Sequence, residues 1–284
     1  MLLNKMKSIA AAFMLTAALS TNVIAQQLKV PAASPAQTIK QAFGLSEITI
    51  EYSRPGAKNR VVFGDVVPFG KVWRTGANNA TKVTFGDDVK VEGTEVKAGT
   101  YAIYSIPNKE SWEIMLYKDL TLGGNVADYK MENEVLRFKV KTMAMSNKVE
   151  TFTMGVADIT ATSANIELIW ENTKVMFTVM TEIDSKIMKN IESNVVKDSR
   201  PYYQAASYYY DNNKDLKTAL DWANKAMVAN PKAYWVVMLK AKIQLKLNDK
   251  KGAIETANLV IKLATEDKDD SYVKQAEKLI ASAK

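Results

Sequence analysis

The sequence predicts two regions in tandem. A mainly β region over residues 34–182 reads as an antiparallel sandwich or a barrel-like variant, and an all-α region follows over residues 185–284. Two observations predict this. Between residues 48 and 180 short apolar runs alternate with polar residues and are broken by turn chemistry, whereas beyond Asp184 alanines and large apolar residues recur at steps of three and four. A third observation is a spacing: Ala219 and Ala253, like Asp215 and Asp249, stand 34 residues apart, a period of helical repeats.

The first element is an address. Lys5 and Lys7 precede an apolar run from Ile9 to Leu19, and Val23-Ile24-Ala25 fits the small-x-small cleavage rule. Residues 1–25 are therefore expected to be a signal peptide, with residues 26–33 a short leader and the mature protein periplasmic or secreted. The run is about half of the roughly 20 residues a membrane-spanning helix needs, so no span is expected in the mature protein.

Gln37 to Phe43 reads as one or two helical turns. Strands are then expected at Ile48–Tyr52, Thr81–Phe85, Val89–Val91, Tyr101–Ile106, Trp112–Tyr117, Val135–Val140, Glu150–Val156, Asn165–Trp170 and Lys174–Met180. The turns between them include Glu92-Gly93-Thr94 and Gly123-Gly124-Asn125, and Glu171-Asn172-Thr173 reads as a tight hairpin joining the last two strands. From Pro201 onward, polar breaks near Asn212-Asn213, Asn230-Pro231 and Asn248-Asp249 delimit four or five helices.

Within the helices, Tyr210, Ala219, Ala226 and Pro231 occupy one repeat unit, and Leu247-Asn248-Asp249, Ala253 and Ala257 occupy the next. The pattern resembles two degenerate tetratricopeptide repeats followed by a capping helix, Tyr272 to Ala283. Gln244 stands where that repeat has an aromatic residue, and a generic helical bundle is the alternative. Two units bury little core by themselves, so this tail is expected to make protein contacts, with an envelope partner or internally.

Composition narrows the chemistry. The chain is 47% hydrophobic and 24% charged, which excludes a disordered polymer. With no His and no Cys it has no imidazole base, no thiolate nucleophile and no His or Cys metal ligands. No cofactor and no metal are expected. Residues 26–183 carry 18 basic and 18 acidic side chains, and residues 184–284 carry 18 and 13. The scattered lysines of the tail read as a solvated face, and no nucleic-acid partner is expected.

Arginine usage is more selective. The chain has 33 Lys and only 5 Arg, of which Arg54, Arg60 and Arg74 fall within 21 residues. Arginine is favoured over lysine where a planar fork grips an anion at two points or stacks on a ring. Tyr52 and Trp73 lie close by in sequence, Arg54-Pro55-Gly56 and Thr75 to Asn79 read as constrained loops, and Gly76 permits backbone N–H groups to converge on an anion. Tyr52, Arg54, Lys58, Arg60, Trp73, Arg74, Gly76 and Asn78 are therefore the candidate ligand-binding residues. The competing assignment is architectural, with the arginines paired to Glu51, Asp65 or Glu47.

The strings YSRPGAKNRVVFG (Tyr52 to Gly64), VPFGKVWRTGANNAT (Val67 to Thr81) and VKAGTYAIYSIP (Val96 to Pro107), with Ser34-Pro35, Trp112 and Trp170-Glu171, resemble the bacterial domain-of-unknown-function family 2911. The resemblance covers residues 34–182. It implies an exported β-rich domain of unassigned activity, and it carries over no catalytic residue. The expected function is recognition of an anionic or carbohydrate-like ligand without catalysis. The alternatives are a carboxylate-dependent hydrolase of envelope glycans or esters, which needs two facing carboxylates, and a purely structural assembly factor.

Overall fold

A computed structural model describes residues 30–196 and 201–284. The expected signal peptide and residues 26–29 of the leader lie outside the described residues. The chain divides after Met180 into two compact units, one β-rich and one helical.

The β-rich unit has ten strands among its described residues: β1 (Ala36–Phe43), β2 (Ser46–Ser53), β3 (Thr81–Phe85), β4 (Val89–Val91), β5 (Thr94–Val96), β6 (Gly99–Ile106), β7 (Ser111–Tyr117), β8 (Glu134–Lys141), β9 (Met143–Ala157) and β10 (Ser163–Thr181). They form a six-stranded sheet in the order β1-β2-β3-β6-β7-β8 and a four-stranded sheet in the order β5-β4-β10-β9. Alternation sets which face is buried. Ile48, Ile50 and Tyr52 of β2 turn inward and meet Val83 and Phe85, Ile103, Ile114 and Leu116 from the same sheet. Phe152, Ile166, Leu168, Trp170, Val175 and Phe177 of the other sheet complete that core.

Three sequence expectations change here. Residues 36–43 form a strand instead of helical turns, paired along its length with β2. Its inward residues are Gln37, Ile39, Gln41 and Phe43, so two glutamines disguise the alternation. The Gln37 amide oxygen accepts a hydrogen bond from the Tyr52 hydroxyl at 2.8 Å, which satisfies it there. Secondly, Glu171-Asn172-Thr173 makes no hairpin. The chain runs straight through as β10, and the register against β9 shifts on both sides of Glu171. Thirdly, Thr94, expected to close the Glu92-Gly93-Thr94 turn, instead opens a short edge strand, Thr94–Val96, paired with β4, so the turn is Glu92-Gly93 alone.

In the helical unit, α1 (Asp184–Ile191) continues into a π-helical segment, Glu192–Val196. It is followed by α2 (Tyr202–Asp211), α3 (Leu216–Ala229), α4 (Tyr234–Lys246), α5 (Lys250–Glu266) and α6 (Asp270–Ala283). Asp215, Asp249 and Asp269 cap α3, α5 and α6, each accepting backbone N–H bonds, as from Lys217 at 3.0 Å and Gly252 at 2.9 Å. The closely packed positions are small. Ala219, Ala226, Ala253 and Ala257 are buried, Tyr210 and Leu247 are half-buried beside them, and Pro231 is exposed. Gln244, in place of an aromatic, is buried with its amide bonded to Asp249 at 3.1 Å and Thr256 at 2.7 Å.

Candidate functional site

The three clustered arginines have different partners. Arg54 donates from Nε to the Phe152 carbonyl at 3.2 Å and from Nη2 to the Thr153 hydroxyl at 2.9 Å, tying the segment after β2 to β9. Arg60 donates to the carbonyls of Ala57 at 3.0 Å and Gly56 at 2.9 Å, closing its own loop. Among the described residues neither they nor Arg74 forms an ion pair with Glu51, Asp65 or Glu47; Glu47 pairs with Lys40.

Arg74 is the exception. Its Nη1 reaches the Gly124 carbonyl at 3.4 Å, a long hydrogen bond, and that is its one side-chain bond among the described residues. Its Nε is buried without a partner. A guanidinium has five N–H donors, and buried donors are ordinarily matched, so this group is under-satisfied. It lines a cleft of about 190 Å³ with Val66, Pro68, Lys71, Trp73, Gly124 and Val126. Lys71 is exposed, so the cleft carries two cations.

The backbone around Arg74 is held by force of packing. Thr75 is fully buried with φ of 54°, a left-handed conformation that is an outlier for a β-branched residue. Its hydroxyl lies 2.9 Å from that of Ser105 and its carbonyl accepts the Thr81 hydroxyl. Trp73 exchanges both backbone hydrogen bonds with Ser105, at 2.8 and 2.9 Å, and its indole N–H donates to the Gly76 carbonyl at 3.1 Å. Gly76 adopts φ of 143°, which L side chains rarely take, and a Cβ there would lie 3.1 Å from the Ser53 carbonyl and 3.2 Å from the Thr81 hydroxyl, both tight contacts. Asn78 donates to the Ser34 carbonyl and the Ser53 hydroxyl, both at 3.2 Å. Strain of this kind persists only where surroundings over-determine it, and it clusters at functional positions.

Opposite the guanidinium stands Gly124. A Cβ there would collide with the Arg74 fork and lie 2.9 Å from the Asn78 carbonyl. Beneath this region Tyr104 is buried and donates to the Gly123 carbonyl at 2.8 Å. Burial pushes its hydroxyl up to about 12, with Tyr117 and Asp119 adding to the shift and the Arg74 charge opposing it. Tyr117 and Tyr129 stack and Tyr104 meets both edge-on, a three-ring cluster tied to the loop carrying Gly124 through the Gly123 carbonyl.

Of the sequence-selected residues, the structure brings Trp73 and Arg74 into the cleft. Tyr52 is 4% exposed, its hydroxyl bonded to Gln37 and the Met154 backbone, so its ring belongs to the core. Lys58 is exposed, in a left-handed conformation, and its backbone N–H donates to Glu150 at 2.7 Å. Lys71, Gly124 and the tyrosine cluster were missed. A glycine pair fifty residues from an arginine carries no local signal, and only tertiary structure brings them together.

The family described as "Protein of unknown function (DUF2911)" matches residues 34–179, which spans both sheets and the whole of the Arg74 cleft. The chain belongs to that family. No curated protein and no solved structure matches the chain. The matched range includes the loop that carries Trp73, Arg74 and Gly76 and the left-handed Thr75 within it.

Proposed function

We propose that the β-rich unit is an exported recognition module for a small anionic group, bound at the Arg74 cleft without bond chemistry. The observation that carries this reading is the Arg74 guanidinium, which among the described residues has one long hydrogen bond, a buried unpartnered Nε and no ion pair. Lys71 adds a second positive charge, and Trp73 walls the cleft. A phosphate, sulfate or carboxylate matches the arginine fork in two places. The helical unit, in this reading, is a tetratricopeptide-like module that makes protein contacts.

Arg54 and Arg60 serve as architectural ties, which divides the arginine cluster into one binding member and two structural ones. A hydrolase would be favoured by carboxylates raised in pKa beside Trp73 or Trp112. The shifted carboxylates among the described residues, Glu134 and Asp119 among them, move downward toward the charged form.

Thermal stabilisation of the full chain by inorganic phosphate, sulfate and succinate tests this. A ligand at a hundred times its Kd adds about 2.7 kcal/mol. The expected result is a shift with at least one of the three that disappears in Arg74→Gln and weakens in Lys71→Gln, while Arg54→Gln lowers the melting temperature and leaves the shift. Absence of any shift, or a shift that survives both Arg74→Gln and Lys71→Gln, overturns the reading. Lys71→Gln carries the test if Arg74→Gln fails to fold, because Lys71 has no structural partner among the described residues.

A further inference from the structure

The described residues contain two buried side-chain polar atoms without a hydrogen-bond partner, Arg74 Nε and Thr142 Oγ1. The second lies in the wall of a different cleft. This cleft, about 290 Å³, has Phe63, Phe69 and Trp112 as its apolar lining. An adjoining one of about 460 Å³ shares Phe69, Asn108 and Lys109 with it, so the two make a continuous open groove.

The same coincidence of orphaned atom and strained backbone found at Arg74 recurs in this groove. Glu171, at φ of 52°, is the one left-handed non-glycine residue inside a strand among the described residues. Its carboxylate accepts the Val62 N–H at 2.8 Å and meets Lys148 at 3.4 Å. That pins the loop carrying Phe63 and Phe69 to β10 and turns the next residue, Asn172, onto the groove. Asn172 uses its amide N–H on the Met145 carbonyl at 3.0 Å, leaving its Oδ1 uncommitted, and Asn108 makes no side-chain hydrogen bond among the described residues.

We propose that this groove binds a polyhydroxylated sugar chain. The chemistry present selects that class. Asparagine amides both donate and accept, which suits vicinal hydroxyls, and Thr173 adds a hydroxyl. Half-exposed Phe69 offers a ring face for the apolar face of a pyranose. Lys109 and Lys139 are matched by Glu110 and Glu171 in the lining, so the groove has no net field that singles out an ion. The volume and open form fit an extended ligand better than an enclosed small molecule. This inference is independent of the anion reading, since the two clefts share no lining residue.

Calorimetric titration of the full chain with chitotriose, cellotriose and maltotriose tests it, alongside Asn108→Ala, Phe69→Leu and Arg74→Gln. Binding of at least one trisaccharide is expected, weakened about five- to tenfold by Asn108→Ala, the size of one lost hydrogen bond. Phe69→Leu keeps the bulk and removes the ring face, and should weaken binding comparably. Arg74→Gln should leave it unchanged. No heat with any of the three sugars overturns the proposal, as does binding that ignores both Asn108→Ala and Phe69→Leu. Binding lost only in Arg74→Gln also overturns it and assigns the sugar to the other cleft. Phosphate binding, read separately through Lys71→Gln, stands or falls without regard to these outcomes.

Discussion

The two units use left-handed backbone differently. In the helical unit the left-handed non-glycine residues are Asn213, Asn248 and Lys268. Each sits one place beyond the C-cap of α2, α4 or α5, where helices ordinarily end that way. In the β-rich unit they are Lys58, Asn59, Thr75, Asn78, Glu92, Asp158 and Glu171. Four of these fall in the loops around the arginines and one interrupts a strand. In the helices the conformation is local and ends an element. In the β-rich unit Glu92 and Asp158 belong to turns between strands, whereas Thr75 and Glu171 are held by tertiary partners and each adjoins a cleft that also holds an orphaned buried atom.

The cores differ in the same sense. The β-rich unit packs large rings: Trp73 stacks on Trp170 at 6.0 Å, with Phe63, Trp112 and Phe152 edge-on to one or both. The helical unit packs alanines against one another, with Ala219, Ala223, Ala253 and Ala257 fully buried. Trp170→Ala should therefore give the largest loss, about 3–5 kcal/mol, because the surrounding rings cannot all close the gap. The reverse change in the other unit, Ala257→Leu, should cost about 1–3 kcal/mol by forcing helices apart. Urea unfolding of the full chain, followed by near-ultraviolet and far-ultraviolet circular dichroism, reads both. A mild Trp170→Ala and a severe Ala257→Leu would break the contrast.

Glycines sharpen it. Gly124→Ala should cost about 1–3 kcal/mol, since its Cβ meets the Arg74 fork and the Asn78 carbonyl. Gly252→Ala lies inside α5, where alanine ordinarily stabilises by about 0.5–1 kcal/mol. Here its Cβ would strike the Asp249 carboxylate and the Gln244 amide, so the helix loses its cap and the expected sign is destabilising, about 0.5–2 kcal/mol. Melting temperatures of the two variants check both, and a stabilised Gly252→Ala would show that Asp249 is not held as a cap.

Much of this contrast was readable in the sequence, and for physical reasons. Ile48, Ile50 and Tyr52 alternate because one face is buried, and the spacing of Asp215 from Asp249 marks two N-caps. What failed was local ambiguity. Gln37 and Gln41 face inward, so β1 shows no apolar alternation, and Glu171-Asn172-Thr173 has turn-like composition yet lies within a strand held by Lys148 and Val62. At the candidate site, arginine scarcity pointed to Arg74 but could not separate it from Arg54 and Arg60. That division depends on carbonyls from Phe152 and Gly56, whose positions no spacing encodes.

Alkaline titration offers a graded test of the tyrosine cluster beside the Arg74 loop. Tyr104 is raised from 10.0 to about 12 in the folded protein, chiefly by burial. Below pH 10 both folded and unfolded states hold the proton, so this group adds no pH dependence. Between pH 10 and 12 the unfolded state releases it first, and stability falls as pH rises. Tyr104→Phe should flatten that fall while lowering stability at neutral pH through loss of the Gly123 hydrogen bond. Tyr129 is raised as well, by burial and its bond to Glu134, so some slope should remain. Denaturant midpoints measured across pH 8–12 decide; an unchanged slope in Tyr104→Phe would show that its hydroxyl is not buried.

The smallest effect is the one closest to the opening contrast. Lys268 adopts φ of 60° one place past the C-cap of α5, and among the described residues its side chain has no hydrogen-bond or ion-pair partner. Glycine relieves a left-handed cost of about 1–2 kcal/mol but returns about 0.5–1 kcal/mol through the flexibility it gives the unfolded chain. Lys268→Gly should therefore stabilise by a few tenths of a kcal/mol, up to about 1. Thr75→Gly relieves the same kind of conformation but removes the hydroxyl that faces Ser105 in a buried site, so it should destabilise. If the two substitutions moved melting temperature in the same direction, the left-handed residues of the two units would be interchangeable. The strain beside Arg74 would then be an ordinary turn and no mark of a site.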